Sequence, residues 1–158
     1  MRSRVLLFVA CFALALSFGS GVACADEEDA LGYLVAALED EDSGVEAYLV
    51  ENYGVSLEDA EPCSPDGACT HDLEEVEVEG YPVFVGRAGA DDTVEFQFEL
   101  SSGTYVIIGT GDDSSQDMDF CLNDEDGDEV DSDTATDDLP MVGFQVDGGA
   151  TLTLEITQ

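Results

Sequence analysis

The sequence predicts a mainly β protein, an antiparallel β-sandwich or jelly-roll-like domain preceded by a short N-terminal helical hairpin. Three observations lead there. The segment TVEFQFEL alternates without a fault, Val94, Phe96, Phe98 and Leu100 against Glu95, Gln97 and Glu99. Further short alternating segments follow it, separated by Gly, Asp and Ser turns, which suits antiparallel rather than parallel pairing. Ahead of them the apolar period is about 3.6 residues instead of 2, the mark of helices.

Taken in order, the chain opens MRSRVLLFVACFALALSFGSGVACADEEDA. Arg2 and Arg4, an apolar run from Val5 to Phe18 and a small-residue site ending Ala23-Cys24-Ala25 describe a secretory leader, residues 1–25, cleaved after Ala25. The run is shorter than the ~20 apolar residues that span a bilayer. GVAC at 21–24 offers a second reading, a bacterial lipobox in which Cys24 is lipidated, although Gly21 stands where such boxes usually carry Leu. Both readings place the working protein outside the cytoplasm, secreted or periplasmic.

Residues 26–61 read as the helical hairpin. Leu31, Leu34, Val35 and Leu38 form one helical stripe, and Asp26 to Asp29 suit the positive end of a helix dipole. Ser43 and Glu46 have capping-box spacing ahead of Val45, Tyr48 and Leu49, Gly54 offers a left-handed stop, and SLEDA at 56–60 suggests a third turn. Residues 62–73 read as a loop carrying Cys63 and Cys69, and residues 74–158 as the sandwich. Within the latter, TYVIIGT has the dense apolar content of a central strand. Met118, Phe120 and Leu122 share one strand face, and Leu152, Leu154 and Ile156 another.

Charge bounds the function. The chain has 38 acidic residues against three arginines and no lysine, a formal charge of −35. Loss of Arg2 and Arg4 with the leader takes this to −37 and leaves Arg87 alone. Such a charge repels nucleic acid and anionic lipid and needs cations to screen it. The acidic, lysine-free coat resembles proteins of salt-adapted organisms.

The densest acidic stretch is DMDFCLNDEDGDEVDSD, with nine carboxylates in residues 117–133. Counted back from Gly127, an EF-hand register would put Leu122 at the first ligand position, so that loop is excluded. A solvated hairpin turning at DEDG remains, as does a different calcium site formed with neighbouring loops. The segment running from GTYVIIGTGDD through to GFQV resembles the bacterial pre-peptidase C-terminal domain, over about residues 92–157. Asp117, Asp119, Leu122, Asp124 and Gly127 match its D-x-D-x-x-L-x-D-x-x-G-like core. The resemblance implies a secreted β-sandwich module, a calcium or matrix-polymer ligand, and Asp117, Asp119 and Asp124 as the first metal carboxylates to test. The closing G-T-Y-x-x-x-V strand of that family is replaced here by GGATLTLEI.

Outside the cytoplasm Cys63 and Cys69, bracketing a Pro-Gly turn, are expected to pair as a disulfide, with Cys121 left over or exchanged into the pair. Zinc on Cys63, Cys69, His71 and Asp72 is the competing reading, at an unusual C-x₅-C-x-H spacing. DSG at 42–44 copies the aspartic-protease triplet but has no second copy, and no G-x-S-x-G elbow accompanies His71, the one histidine. Tyr81, Phe84 and Tyr105 lie in predicted strands and are expected in the core, and tryptophan is absent. These observations point to a non-enzymatic binding or structural module, associated with cations and with an unidentified protein or polymer partner at the cell envelope. A small hydrolase with an unrecognised site, and an accessory or inhibitor chain binding through the hairpin, are the alternatives.

Overall fold

The computed structural model describes residues 3–7, 27–40, 44–78, 80–86, 92–111, 117–136 and 139–157. The apolar stripe of the first helical segment becomes α1 (Glu27–Glu39), and the second becomes α2 (Val45–Tyr53). Leu34 of α1 and Val45 and Leu49 of α2 are buried, as the helical spacing requires. Gly54 ends α2 in the left-handed region at φ 65°, its N–H donating to the Val50 carbonyl at 3.0 Å. A 3₁₀ turn follows at Leu57–Asp59.

The expected capping box of Ser43 and Glu46 falls partly outside the described residues. Gly44 occupies the N-cap of α2, Ser43 lies outside the described residues, and the Glu46 carboxylate accepts the N–H of Leu57 at 2.7 Å. Glu46 therefore fastens the 3₁₀ turn to the helix. The DSG triplet likewise falls mostly outside the described residues.

Eleven strands make up the rest of the described residues. They are β1 (Ser3–Leu7), β2 (Glu61–Pro62), β3 (Gly67–Cys69), β4 (Leu73–Val78), β5 (Tyr81–Gly86), β6 (Val94–Leu100), β7 (Gly103–Ile108), β8 (Asp119–Asn123), β9 (Glu129–Asp133), β10 (Met141–Val146) and β11 (Ala150–Thr157). One sheet runs β10-β7-β1-β2, a second β3-β6-β11-β8-β9, and β4 with β5 forms a separate hairpin. Pairing is antiparallel except at β1, which runs parallel to both β7 and β2. The mainly β, sandwich-like class expected from the alternation is thus the observed one.

Two stretches that the sequence reads as loop and as leader carry strands in the structure. Residues 62–73, read as loop, contribute β3, which pairs with β6 from Gly67↔Phe98 to Cys69↔Phe96. Gly67 can lie there because a side chain would run into the Phe96 ring and the Gln97 carbonyl. Residues 3–7, read as part of a leader outside the fold, form β1 against β7; Cys24 and Ala25 lie outside the described residues. No helix among the described residues is long and apolar enough to cross a membrane.

The core has two parts, with β7 between them. Tyr105 and Ile107 face the five-stranded sheet, where Phe96, Phe98, Phe120, Leu122 and Leu154 meet Val142 and Phe144 of β10. Val106 and Ile108 face the other way, onto Leu34, Leu49, Val83 and Val85 of the helices and β5. The dense run in TYVII is apolar on both faces because both faces are covered. Each fully buried Phe or Leu side chain contributes roughly 1.5–3 kcal/mol, so the helical hairpin shares one folded unit with the sandwich rather than standing apart from it.

Candidate functional site

The strand β8 separates the three carboxylates grouped by sequence. Asp117 and Asp119 lie at its start and Asp124 just past its end, five residues beyond Asp119. At ~3.3 Å per residue that is roughly 16 Å along an extended strand, too far for a shared ion. Asp124 is instead occupied as a turn residue. Its Oδ1 accepts the N–H groups of Asp126 at 3.0 Å and Asp128 at 2.9 Å, and Gly127 completes the turn at φ 82°. The plain hairpin reading of DEDG is the observed one, and Asp117, Asp119 and Asp124 do not form one calcium site.

What β8 and β9 do bring together is a different acidic group. Burial, then Asp117, then Asp133 hold the Asp119 carboxyl above its ordinary pKa. Asp117 has a buried Oδ1 with no hydrogen-bond partner among the described residues. Asp131 and Asp133 stand opposite Leu122 and Phe120 and so share the inward face of the sheet. Their carboxylates cross to the neighbouring sheet, where Asp131 accepts the N–H of Gly143 at 2.8 Å and Asp133 that of Met141 at 2.9 Å. Backbone donors on the edge of β10 are satisfied by side chains of β9, and the sandwich closes there without a ladder. The one sequence signal for this was the i, i+2 placement of two Asp in EVDSD.

Above the same edge, the Tyr53 ring of α2 covers Gly143, where a side chain would collide with the phenol. Burial and the neighbouring Tyr53 hydroxyl push the Tyr48 phenol well above its ordinary pKa, with Asp131 and Asp133 adding to the shift. Tyr53 is raised as well, chiefly by burial. This corner is a packing junction between α2, β9 and β10.

Cys63, Cys69 and Cys121 are thiols, with no disulfide among the described residues. Cys63 and Cys69 both pack against the core between the sheets, and burial pushes the Cys69 thiol up. The expected Cys63–Cys69 bridge is therefore absent, two sulfurs being used as apolar filling. Cys121 faces the other side, its thiol raised by burial and then by Glu129 and Glu155. No group of three or more His, Cys, Asp or Glu among the described residues could hold a metal, so the zinc set of Cys63, Cys69, His71 and Asp72 does not assemble.

His71 borders a groove of about 770 Å³, floored by Leu31, Leu73, Val76 and Val85. Its Nδ1 lies 3.1 Å from the Thr70 hydroxyl and its Nε2 3.9 Å from an Asp92 carboxylate oxygen. The order hydroxyl, imidazole, carboxylate is that of a hydrolase triad. Thr70, however, accepts the Glu95 N–H at 2.9 Å, and its own N–H donates to the Glu95 carbonyl at 2.9 Å. The hydroxyl thus extends the pairing of β3 with β6, and the 3.9 Å separation is beyond a hydrogen bond.

The outward face of the five-stranded sheet bears hydrogen-bonding groups in register. Glu95 stands opposite Glu155, Gln97 opposite Thr153 and Glu99 opposite Thr151, with Cys121 and Asn123 continuing the rows onto β8. Like charges directly opposed on neighbouring strands destabilise a sheet by roughly 0.2–1 kcal/mol, so Glu95 and Glu155 oppose folding at this place. Comparison with known protein families, with characterised proteins and with solved structures returned no match.

Proposed function

We propose that this protein is an extracytoplasmic, non-enzymatic binding module, and that it engages its partner through the outward face of the five-stranded sheet. The observation that carries this reading is the in-register Glu95–Glu155 pair, set among Gln97, Thr151, Thr153 and Asn123. A sheet face of acceptors and donors with two opposed carboxylates suits a hydroxyl-rich or cationic polymer, or a basic protein surface, at the cell envelope. Cations spread over the remaining carboxylates screen the fold and need no stoichiometric site. The resemblance to the pre-peptidase C-terminal domain agrees with a secreted β-sandwich module.

The test measures equilibrium binding of the purified, exported protein to washed cell-envelope material, alongside a hydrolase substrate panel. Saturable binding that Glu95→Gln and Glu155→Gln together weaken is the expected result. Turnover of any substrate that Thr70→Val removes, or binding indifferent to both glutamines, overturns the reading.

A further inference from the structure

The strand β1 consists of residues 3–7, which the sequence assigns to a leader removed after Ala25. In the structure it pairs with β7 in parallel register from Ser3↔Thr104 to Leu7↔Ile108, and its other edge meets β2 at Arg4↔Glu61 and Val5↔Pro62. Adjacent strands lie ~4.8 Å apart, so β7 and β2 are about 9.6 Å apart across β1. Removal of the leader leaves a gap one strand wide. Among the described residues no other strand pairs with this edge of β7, whose opposite edge is taken by β10.

The edge is not one that water covers easily. With β1 in place Tyr105, Val106, Ile107 and Ile108 are at most 2% exposed, and their side chains line both faces of the strand, so the apolar surroundings of the edge come from both halves of the core as well as from β1. Backbone N–H and C=O groups facing an empty slot would lie among apolar side chains, where each unmade hydrogen bond is costly. A strand is the structure that satisfies them.

We propose that the processed chain carries a strand-acceptor slot beside β7, filled by an extended, cation-bearing apolar segment of a partner protein aligned parallel to β7. This rests on the export and leader removal proposed above. The segment seen in the slot, SRVLL, sets the chemistry: a cation in register with Glu61, followed by valine and leucines. Charge selects the same occupant, since a chain at −37 attracts basic segments. A second processed copy is the poorer donor, because Arg87 is the only cation it retains.

The experiment expresses the full-length gene, purifies the exported protein and records its intact mass. A fluorescein-labelled peptide of residues 2–8, RSRVLLF, is then titrated by anisotropy, beside a Leu6→Pro peptide and a peptide of reversed sequence. Saturable one-to-one binding is expected, weakened roughly tenfold or more by the proline, which removes a ladder donor. A nitroxide on the peptide's N-terminus should broaden the Thr104 amide resonance more than that of Ile108, as parallel alignment requires. Processed protein that binds no peptide, binds all three equally, or broadens Ile108 first overturns the slot and leaves the export reading standing. A dimer by light scattering that refuses the peptide overturns it too, placing a second copy there. A mass that retains residues 1–25 overturns both, the slot then being filled from within.

Discussion

Removing the carboxylates of Asp131 and Asp133 separates two roles that acidic residues have in this protein. Most of the acidic residues among those described are exposed and repel one another, so their neutralisation should help folding at low salt. Asp131 and Asp133 are different, because they point toward the sheet interior beside Leu122 and Phe120 and accept the N–H groups of Gly143 and Met141. Hydrogen bonds to a charged group are worth roughly 1.5–3 kcal/mol, and both residues are partly exposed, so about 1–2 kcal/mol each is the appropriate discount. Asp131→Ala and Asp133→Ala should each lower stability by that amount. The double variant should lose about 3 kcal/mol, a fall of roughly 10 °C in midpoint for a chain of this size. Urea unfolding in 1 M NaCl, where the screening length is only ~3 Å, removes the general repulsion from the comparison. Asp131→Asn, which keeps a carbonyl acceptor, should recover most of the loss. If Asp131→Ala were neutral or stabilising, as Glu99→Ala on the outer face is expected to be, the edge-closing role would be refuted.

Three other outcomes follow from the same geometry. Because burial and the neighbouring Asp117 and Asp133 raise the Asp119 pKa, the unfolded chain ionises there first, and stability is lost as pH rises from the ordinary carboxylate value through the raised one. Asp119→Asn should therefore stabilise at neutral pH and have no effect below the ordinary carboxylate range, and a gain confined to acid would contradict this. Gly143→Ala places a methyl group against the Tyr53 ring and should destabilise by about 1–3 kcal/mol, with a clearly smaller loss when Tyr53→Ala is already present; additivity in that double-mutant cycle would sink the contact. Glu155→Gln removes the like-charge pair with Glu95 and should stabilise by roughly 0.2–1 kcal/mol at low ionic strength, the gain fading in 1 M salt.

Much of the sandwich was legible because one residue in two must be apolar where a single face is buried. Val94, Phe96, Phe98 and Leu100 alternate in the sequence and are buried as alternation demands, and so are Leu152, Leu154 and Ile156. The helices were legible for the corresponding reason at their own period. The site was much less so. Asp117, Asp119 and Asp124 look like a group when spacing is read along a line, and an extended strand places the last far from the first two. The Cys63–Cys69 bridge failed similarly, since proximity in sequence does not show that both thiols turn into the core.

By itself, then, the amino-acid order determined the β class, the helical hairpin, the inward faces and the acidic exterior, all of which are local or periodic properties of a chain in water. The tertiary structure alone decided that β7 is covered on both sides, that β9 closes the edge of β10 with two aspartates, that Glu95 meets Glu155, and that residues 3–7 occupy the slot beside β7. These depend on which strands become neighbours. Pairing partners far apart in sequence are chosen by the fit of whole surfaces, and no local pattern encodes that choice.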